Sequence, residues 1–293
     1  MVDVADARWI AGVDVLERLV AGTDAAGAIE IVRDGAALLL RRHDVLVRVR
    51  GADDAAVAER EVHLATALAD ADVPVTALVE PAGQPFAEGG CVVTAWRWSD
   101  GSGPVGPAEL GGLARLLRER TAEVALTVPV LDPIDAALAV VAHLPDHDPE
   151  AAFVRGRAEA LAGAWADAAT ADPLGRAIVH GDLHAGNVVP GPGGPLLTDL
   201  ELAGSGPSSY DAAPMAVAVA RYGADPGDLD AFLSAFGADP RGWAGFDTFV
   251  SVYELWVTAW AVGVGHRDPT WAVEASRRVA TLRDGTAARW TLR

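Results

Sequence analysis

His180-Gly181-Asp182-Leu183-His184-Ala185-Gly186-Asn187, followed by Asp199-Leu200-Glu201, sets both the architecture and the chemistry of this chain. The short apolar pieces Ala177-Ile178-Val179, Asn187-Val188-Val189 and Leu196-Leu197-Thr198 flank it, and Pro190-Gly191-Pro192-Gly193-Gly194-Pro195 makes a turn between the last two. This predicts strand, loop, strand, turn, strand. On the loop, Asp182 offers a carboxylate that can accept a proton from a hydroxyl as it attacks. Asn187 supplies a neutral oxygen and Asp199 a charged one, a donor set suited to a hard cation such as magnesium.

Outward from this centre the two halves differ. From residue 107 onward the pattern is helical, with candidates at 108–121, 133–143, 149–169, 226–236, 243–264 and 269–283, most of them opened by Pro, Asp or Ser. Before it, 37–40 and 45–49 are apolar runs with period-2 arginines on either side of the turn Arg42-His43-Asp44, the pattern of a hairpin. Asp53 or Asp54 can cap a helix to about residue 69, with Val57, Val62, Leu64 and Leu68 as its apolar stripe, and Val73-Pro74-Val75 ends it. Residues 91–98 form one more strand, and Ser99-Asp100-Gly101-Ser102-Gly103-Pro104 is a flexible joint. The expected fold is α+β and bilobal. Residues 1–98 make a small N-terminal β-sheet lobe with one main helix, 99–106 a hinge, and 107–293 a larger, mostly helical lobe.

Composition removes several alternatives. All 23 basic residues are arginines, so a Walker A phosphate loop, Schiff-base catalysis and a Ser-Lys dyad are excluded. The formal net charge of −18 disfavours nucleic acid, which is held by basic patches; an acidic surface either draws in a cationic small molecule or serves solubility alone. The longest apolar stretch, around 255–264, is too short and interrupted to span a bilayer, so no membrane association is expected. Met1-Val2-Asp3-Val4-Ala5-Asp6 is acidic where a secretory signal would be basic, and the single Cys91 allows no internal disulfide. A cytoplasmic protein, monomer or homodimer, is the expectation.

The spacing His-x-Asp-x-x-x-x-Asn is that of the protein-kinase catalytic loop, and Asp199 stands where a kinase places its metal-binding aspartate. His-Gly-Asp-Leu-His-x-Gly-Asn with a following Asp-x-Glu resembles the aminoglycoside phosphotransferase and choline kinase family, the small-molecule branch of the kinase-like fold. That resemblance implies Asp182 as catalytic base, Asn187 and Asp199 as magnesium ligands, and Asp211 in Ser209-Tyr210-Asp211 as a brace for the loop. It also implies that Arg48 orients the nucleotide phosphates and that Glu61 holds that cation, although Arg50 could serve in place of Arg48. Thr94-Ala95-Trp96-Arg97-Trp98 is placed like the strand leading to the adenine-binding hinge, which makes Trp96 and Trp98 nucleotide-site candidates. Glu201 could touch a second metal, bond the loop or face solvent; His180 and His184 are expected to bond loop backbone. Two departures stand out: Leu200 replaces a common aromatic, and the best candidate for a glycine-rich phosphate loop, Ala21-Gly22-Thr23-Asp24-Ala25-Ala26-Gly27, is a poor one.

The resulting expectation is a magnesium-dependent enzyme moving the terminal phosphoryl group of ATP, or of GTP, to a hydroxyl of a small molecule such as an aminoglycoside-like antibiotic, an amino sugar or an amino alcohol. The alternative is a kinase-like nucleotide-binding protein without turnover. A two-metal phosphoesterase, suggested by Gly181-Asp182-Leu183-His184, lacks support because His43, His63, His143, His147 and His266 form no ligand-spaced set.

Overall fold

The period-2 patterning of the first hundred residues becomes a five-stranded antiparallel sheet. The computed structural model describes residues 4–21, 27–80, 83–101 and 103–291, and for residues 4–6 the backbone alone. Two compact units divide the chain, Met1–Pro104 with Asn187–Glu201, and Val105–Gly186 with Leu202–Arg293.

In the first unit, α1 (Val4–Val20) precedes β1 (Glu30–Asp34), β2 (Leu38–Arg42) and β3 (Val45–Gly51), then α2 (Ala55–Asp70), β4 (Phe86–Glu88) and β5 (Cys91–Arg97). The sheet order is β1-β2-β3-β5-β4. Alternation along β3 decides where its side chains go. Val45, Val47 and Val49 are buried in a core with Leu38, Leu40, Val93 and Ala95, capped by Ala11, Val15 and Leu16 of α1. Leu46, Arg48 and Arg50 therefore share the opposite face, with Arg48 paired across the ladder to Leu39 and Thr94. No helix is expected from the sequence over α1, because small residues such as Ala11 weaken the apolar period; burial against the sheet stabilises it. Likewise β1 and β4 carry little strand signal of their own and exist through their partners β2 and β5. Of the candidate phosphate loop at 21–27, residues 22–26 lie outside the described residues.

The second unit opens with α3 (Pro107–Arg120), α4 (Pro133–Val141), α5 (Pro149–Ala171) and β6 (Arg176–Val179). After the motif loop the chain rejoins the first unit as the hairpin β7 (Val188–Gly191) and β8 (Gly194–Leu197). It then re-enters the second with β9 (Gly204–Pro207), α6 (Ala213–Val217), α7 (Pro226–Phe236), α8 (Gly245–Gly265) and α9 (Pro269–Asp284). The six expected helices are all present, with ends within two residues of the predicted ones. Prolines at the start of α4, α5, α7 and α9 follow aspartate caps, Asp132, Asp148, Asp225 and Asp268, whose carboxylates accept first-turn N–H groups.

Helix α8 is the centre of this unit, packed by α4, α5 and α9, with Phe249, Leu255 and Val262 fully buried. The apolar stretch is longer than the expected 255–264: α8 runs 21 residues, long and apolar enough by length and composition to cross a membrane, yet 56% of that window is buried inside the protein. It is the core helix of the unit.

One close approach fixes the crossing of α3 and α7. A Cβ at Gly111 would lie 2.1 Å from the backbone oxygen of Phe232. Because backbone cannot move aside as a flexible side chain can, Gly111→Ala must push the helices apart, at about 1–3 kcal/mol or more. A fall in Tm of several degrees is expected by calorimetry, whereas Gly112→Ala next to it, where a Cβ meets nothing within 4 Å, leaves Tm unchanged or higher.

Candidate active site

The predicted residues fall into two groups, one in each unit. In the first unit, Arg48 donates from Nη1 to Glu61 Oε1 at 2.7 Å and to Asp199 Oδ1 at 3.0 Å. Arg50 donates from Nη1 to Glu61 Oε2 at 2.8 Å and from Nη2 to Glu201. The two candidate arginines are thus not alternatives: lying two apart on one strand face, both reach the single glutamate that α2 presents. Glu61 is only 1% exposed, so its two oxygens lie in a place where an unpaired charge would be expensive. Burial pushes its carboxyl up against the pull of both guanidinium groups. Burial also works to lower Arg48, but Glu61 and Asp199 outweigh it and the guanidinium is held firmly charged.

An open pocket of about 490 Å³ is lined by Arg48, Glu61 and Asp199 together with Trp96, Trp98, Leu46, Thr76 and Val189, among others. Arg50 and Glu201 are not among its lining residues. Trp96 is fixed in the wall by donating Nε1–H to Thr94 Oγ1 at 2.9 Å. Trp98 donates Nε1–H to Asp100 at 2.6 Å, and the Arg41 guanidinium stacks 4.3 Å from its ring centroid. The pocket therefore joins aromatic walls to a charged floor, which is what a flat heteroaromatic base carrying phosphates requires.

The hairpin brings Asp199 to that floor. At its base the Thr198 N–H donates to the Asn187 carbonyl at 3.0 Å, and β8 is tied to the rest of the unit through Leu197 N–H to the Pro74 carbonyl, also 3.0 Å. Asp199 itself has φ +60°, the left-handed region. Few residues other than glycine tolerate it, Asp and Asn among them. One oxygen each from Glu61, Asp199 and Glu201 lies within 4.8 Å of the others. The donors are all carboxylate oxygens, as a hard divalent cation demands; Asn187, the other expected ligand, is tied to the strand that leads into Asp199 through its backbone carbonyl. All three are paired with arginine, Glu61 with Arg48 and Arg50, Asp199 with Arg48 and Glu201 with Arg50, and of the trio Glu61 and Asp199 line the pocket.

In the second unit the loop after β6 is built almost wholly by hydrogen bonds to its backbone. Asp211, 1% exposed, accepts the His180 N–H on Oδ2 and the Gly181 N–H on Oδ1, both at 2.9 Å. His180, equally buried, accepts the Asp182 N–H on Nδ1 at 3.3 Å. Gly181 has φ +83°, and a Cβ there would meet the Leu202 carbonyl at 2.9 Å, so the loop cannot carry a larger residue at this turn. His184 Nδ1 accepts the Gly186 N–H at 3.0 Å, which places the proton of the neutral ring on Nε2, 3.6 Å from Asp182 Oδ2.

Asp182 also receives a hydrogen bond from well outside its own loop. The Tyr253 hydroxyl, from the middle of α8, donates to Asp182 Oδ1 at 2.6 Å. Burial acts to raise the Asp182 carboxyl, but the neighbouring His184 ring and the Tyr253 hydroxyl outweigh it, and it titrates below its ordinary range. Burial and the Asp182 charge in turn push the Tyr253 hydroxyl well above its ordinary value, so it remains a donor. One cue was available: a tyrosine, one of only three in the chain, set in a mostly apolar helix.

A sheet-bearing unit with a buried arginine–glutamate pair, a helical unit carrying the braced loop around Asp182, and an aspartate behind a hairpin together make a kinase-like fold. Residues 30–247 match the phosphotransferase enzyme family (APH), and the chain belongs to that family. Among solved structures it is similar to a choline/ethanolamine kinase family protein from Mesorhizobium loti, at 21% identity and TM-score 0.60, over 92% of this chain and 93% of that one. It is similar to the amicoumacin kinase hAmiN in complex with AMP-PNP, Ca2+ and Ami, at 13% identity and TM-score 0.69, over 99% of this chain and 98% of that one. An aminoglycoside phosphotransferase from Streptomyces rimosus aligns at 19% identity and TM-score 0.62, over 83% of this chain and 98% of that one. No curated protein matches the chain in sequence.

Proposed function

We propose that this protein transfers the terminal phosphoryl group of ATP to a hydroxyl of a small, positively charged molecule. The observation that carries the reading is the loop in which Asp211 and His180 fix the backbone around Asp182, since a group held this firmly by its own main chain is pre-organised for chemistry. In the transfer, the acceptor O–H bond breaks and its proton goes to Asp182. The acceptor oxygen bonds to the γ-phosphorus, and the bond from that phosphorus to the bridging oxygen breaks, leaving its electron pair on the nucleoside diphosphate. Arg48, which lines the pocket, orients the phosphates, while Arg50, tied to Glu61 and Glu201, holds Glu61 in place. Trp96 and Trp98 wall the adenine. Asn187 and Asp199 hold magnesium, which when bound neutralises the phosphate oxygens.

The kinase and phosphotransferase names of the similar structures support a small-molecule acceptor, and the AMP-PNP and Ca2+ of the amicoumacin kinase complex support a nucleotide with a divalent ion. A net charge of −18 supports a cationic acceptor, such as an amino sugar, aminoglycoside or amino alcohol.

The test is incubation with γ-labelled ATP and magnesium against a panel of such hydroxyl compounds, alongside thermal shift. Label transfer to at least one amine-bearing alcohol is expected. ATP with magnesium at about 100 times its Kd is expected to stabilise the wild type by about 2.7 kcal/mol, and Asp199→Asn is expected to lose most of that shift. A magnesium-dependent shift with no turnover toward any acceptor or water would instead favour a nucleotide-binding protein without activity, a reading to which the Arg48–Asp199 ion pair lends some weight.

A further inference from the structure

We propose that Tyr253 is a positioning residue for Asp182, committing the oxygen Oδ1 to orientation and assigning proton transfer to Oδ2. The proposal rests on the reading of Asp182 as the base. Its own ground is the geometry around α8.

Tyr253 is 4% exposed, and a phenol in such surroundings needs a partner for its hydroxyl. Asp182 Oδ1 provides it at 2.6 Å, the length of a charge-assisted bond. The ring is not free to follow the carboxylate. It stands edge-on to Tyr210, with centroids 6.5 Å apart, and Tyr210 is itself packed edge-on against Trp165 at 5.2 Å and Phe249 at 5.9 Å. Phe249 lies one turn before Tyr253 on α8 and also packs on Trp165, so the aromatic group is closed on itself. The hydroxyl is thereby a fixed point, and the carboxylate is oriented on it. The second oxygen, Oδ2, faces His184 Nε2 at 3.6 Å, and the Asp182 side chain keeps 23% of its surface exposed.

A donor on a base weakens it as a base, which is a poor bargain where proton abstraction limits the rate. Phosphoryl transfer is different. Its transition state is loose, with little bonding to the attacking oxygen, so the acceptor hydroxyl needs alignment more than it needs a strong base. A depressed, rigidly held carboxylate suits that demand.

The test uses the full-length protein, MgATP, and water as acceptor, so that it does not depend on knowing the natural substrate. Tyr253→Phe keeps the ring and its packing and removes only the donor. The expected result is a fall in kcat of about 10- to 100-fold, with KM for MgATP within about twofold of wild type and Tm nearly unchanged. A structural role alone would lower Tm and leave kcat. The double variant Asp182→Asn/Tyr253→Phe is expected to be no slower than Asp182→Asn, because the tyrosine acts only through the aspartate. Multiplying losses in the double variant, or wild-type kcat in Tyr253→Phe when Asp182→Asn is inactive, would overturn this proposal alone. Full activity in Asp182→Asn, or no turnover in the wild type, would remove the underlying reading and this proposal with it.

Discussion

Asp182→Asn is expected to lower kcat for the proposed phosphoryl transfer by about 10²- to 10⁴-fold, the usual contribution of a positioned general base, and to leave the fold and nucleotide affinity in place. The amide is isosteric, and its oxygen can still accept the Tyr253 hydroxyl, so the contact that orients the side chain survives. The backbone of the loop is held by Asp211 and His180 rather than by the Asp182 side chain. What is lost is the proton acceptor. Because its carboxyl titrates below the ordinary range, Asp182 is ionised throughout the neutral range, and the defect is expected at every pH from 6 to 9. Steady-state kinetics with MgATP and the acceptor found in the panel check this; a variant within threefold of wild type would exclude the base role.

Asp211→Ala has the second large effect, on stability and activity together. Two buried N–H groups, those of His180 and Gly181, lose their acceptor at once. A buried donor left unsatisfied costs about 1–3 kcal/mol, so about 4 kcal/mol is expected for the pair, equivalent to a fall in Tm of about 10 °C. Asp211→Asn keeps one acceptor oxygen and loses the other, and its cost is expected to be about half as large. The graded series distinguishes this account from one in which Asp211 merely fills space, for which Asn would match wild type. Urea unfolding gives the stabilities, and kcat is expected to fall with them because the same two N–H groups set the direction in which Asp182 leaves the loop.

The parts legible in the sequence share a property: their information is local. The motif loop places its acid, amide and glycines within eight residues, and the caps and apolar stripes that announce the helices are equally short-range. The arginine–glutamate pair was legible only through the family resemblance, which matched Arg48 on its strand and Glu61 on the next helix; pattern alone names neither partner. What was not legible is long-range. Whether Arg48 or Arg50 meets Glu61 cannot be read from a strand that puts both on one face, and the structure uses both. The β9 strand, Gly-Ser-Gly-Pro, has no strand-forming side chain and exists only because β6 offers it a ladder. The Tyr253–Asp182 bond spans 71 positions and joins a helix to a loop, so periodicity carries no trace of it.

The left-handed backbone of Asp199 bears on how such a protein can change over generations. A site with φ near +60° tolerates chiefly glycine, asparagine and aspartate, and asparagine and glycine are each one base change away from aspartate. Both remove the negative charge while satisfying the backbone as well as aspartate or better. The replacements that the backbone admits therefore remove the charge without disturbing the fold. If Asp199 serves the proposed transfer, a lineage carrying this architecture can lose the activity in a single step and keep a stable pocket for selection to reuse.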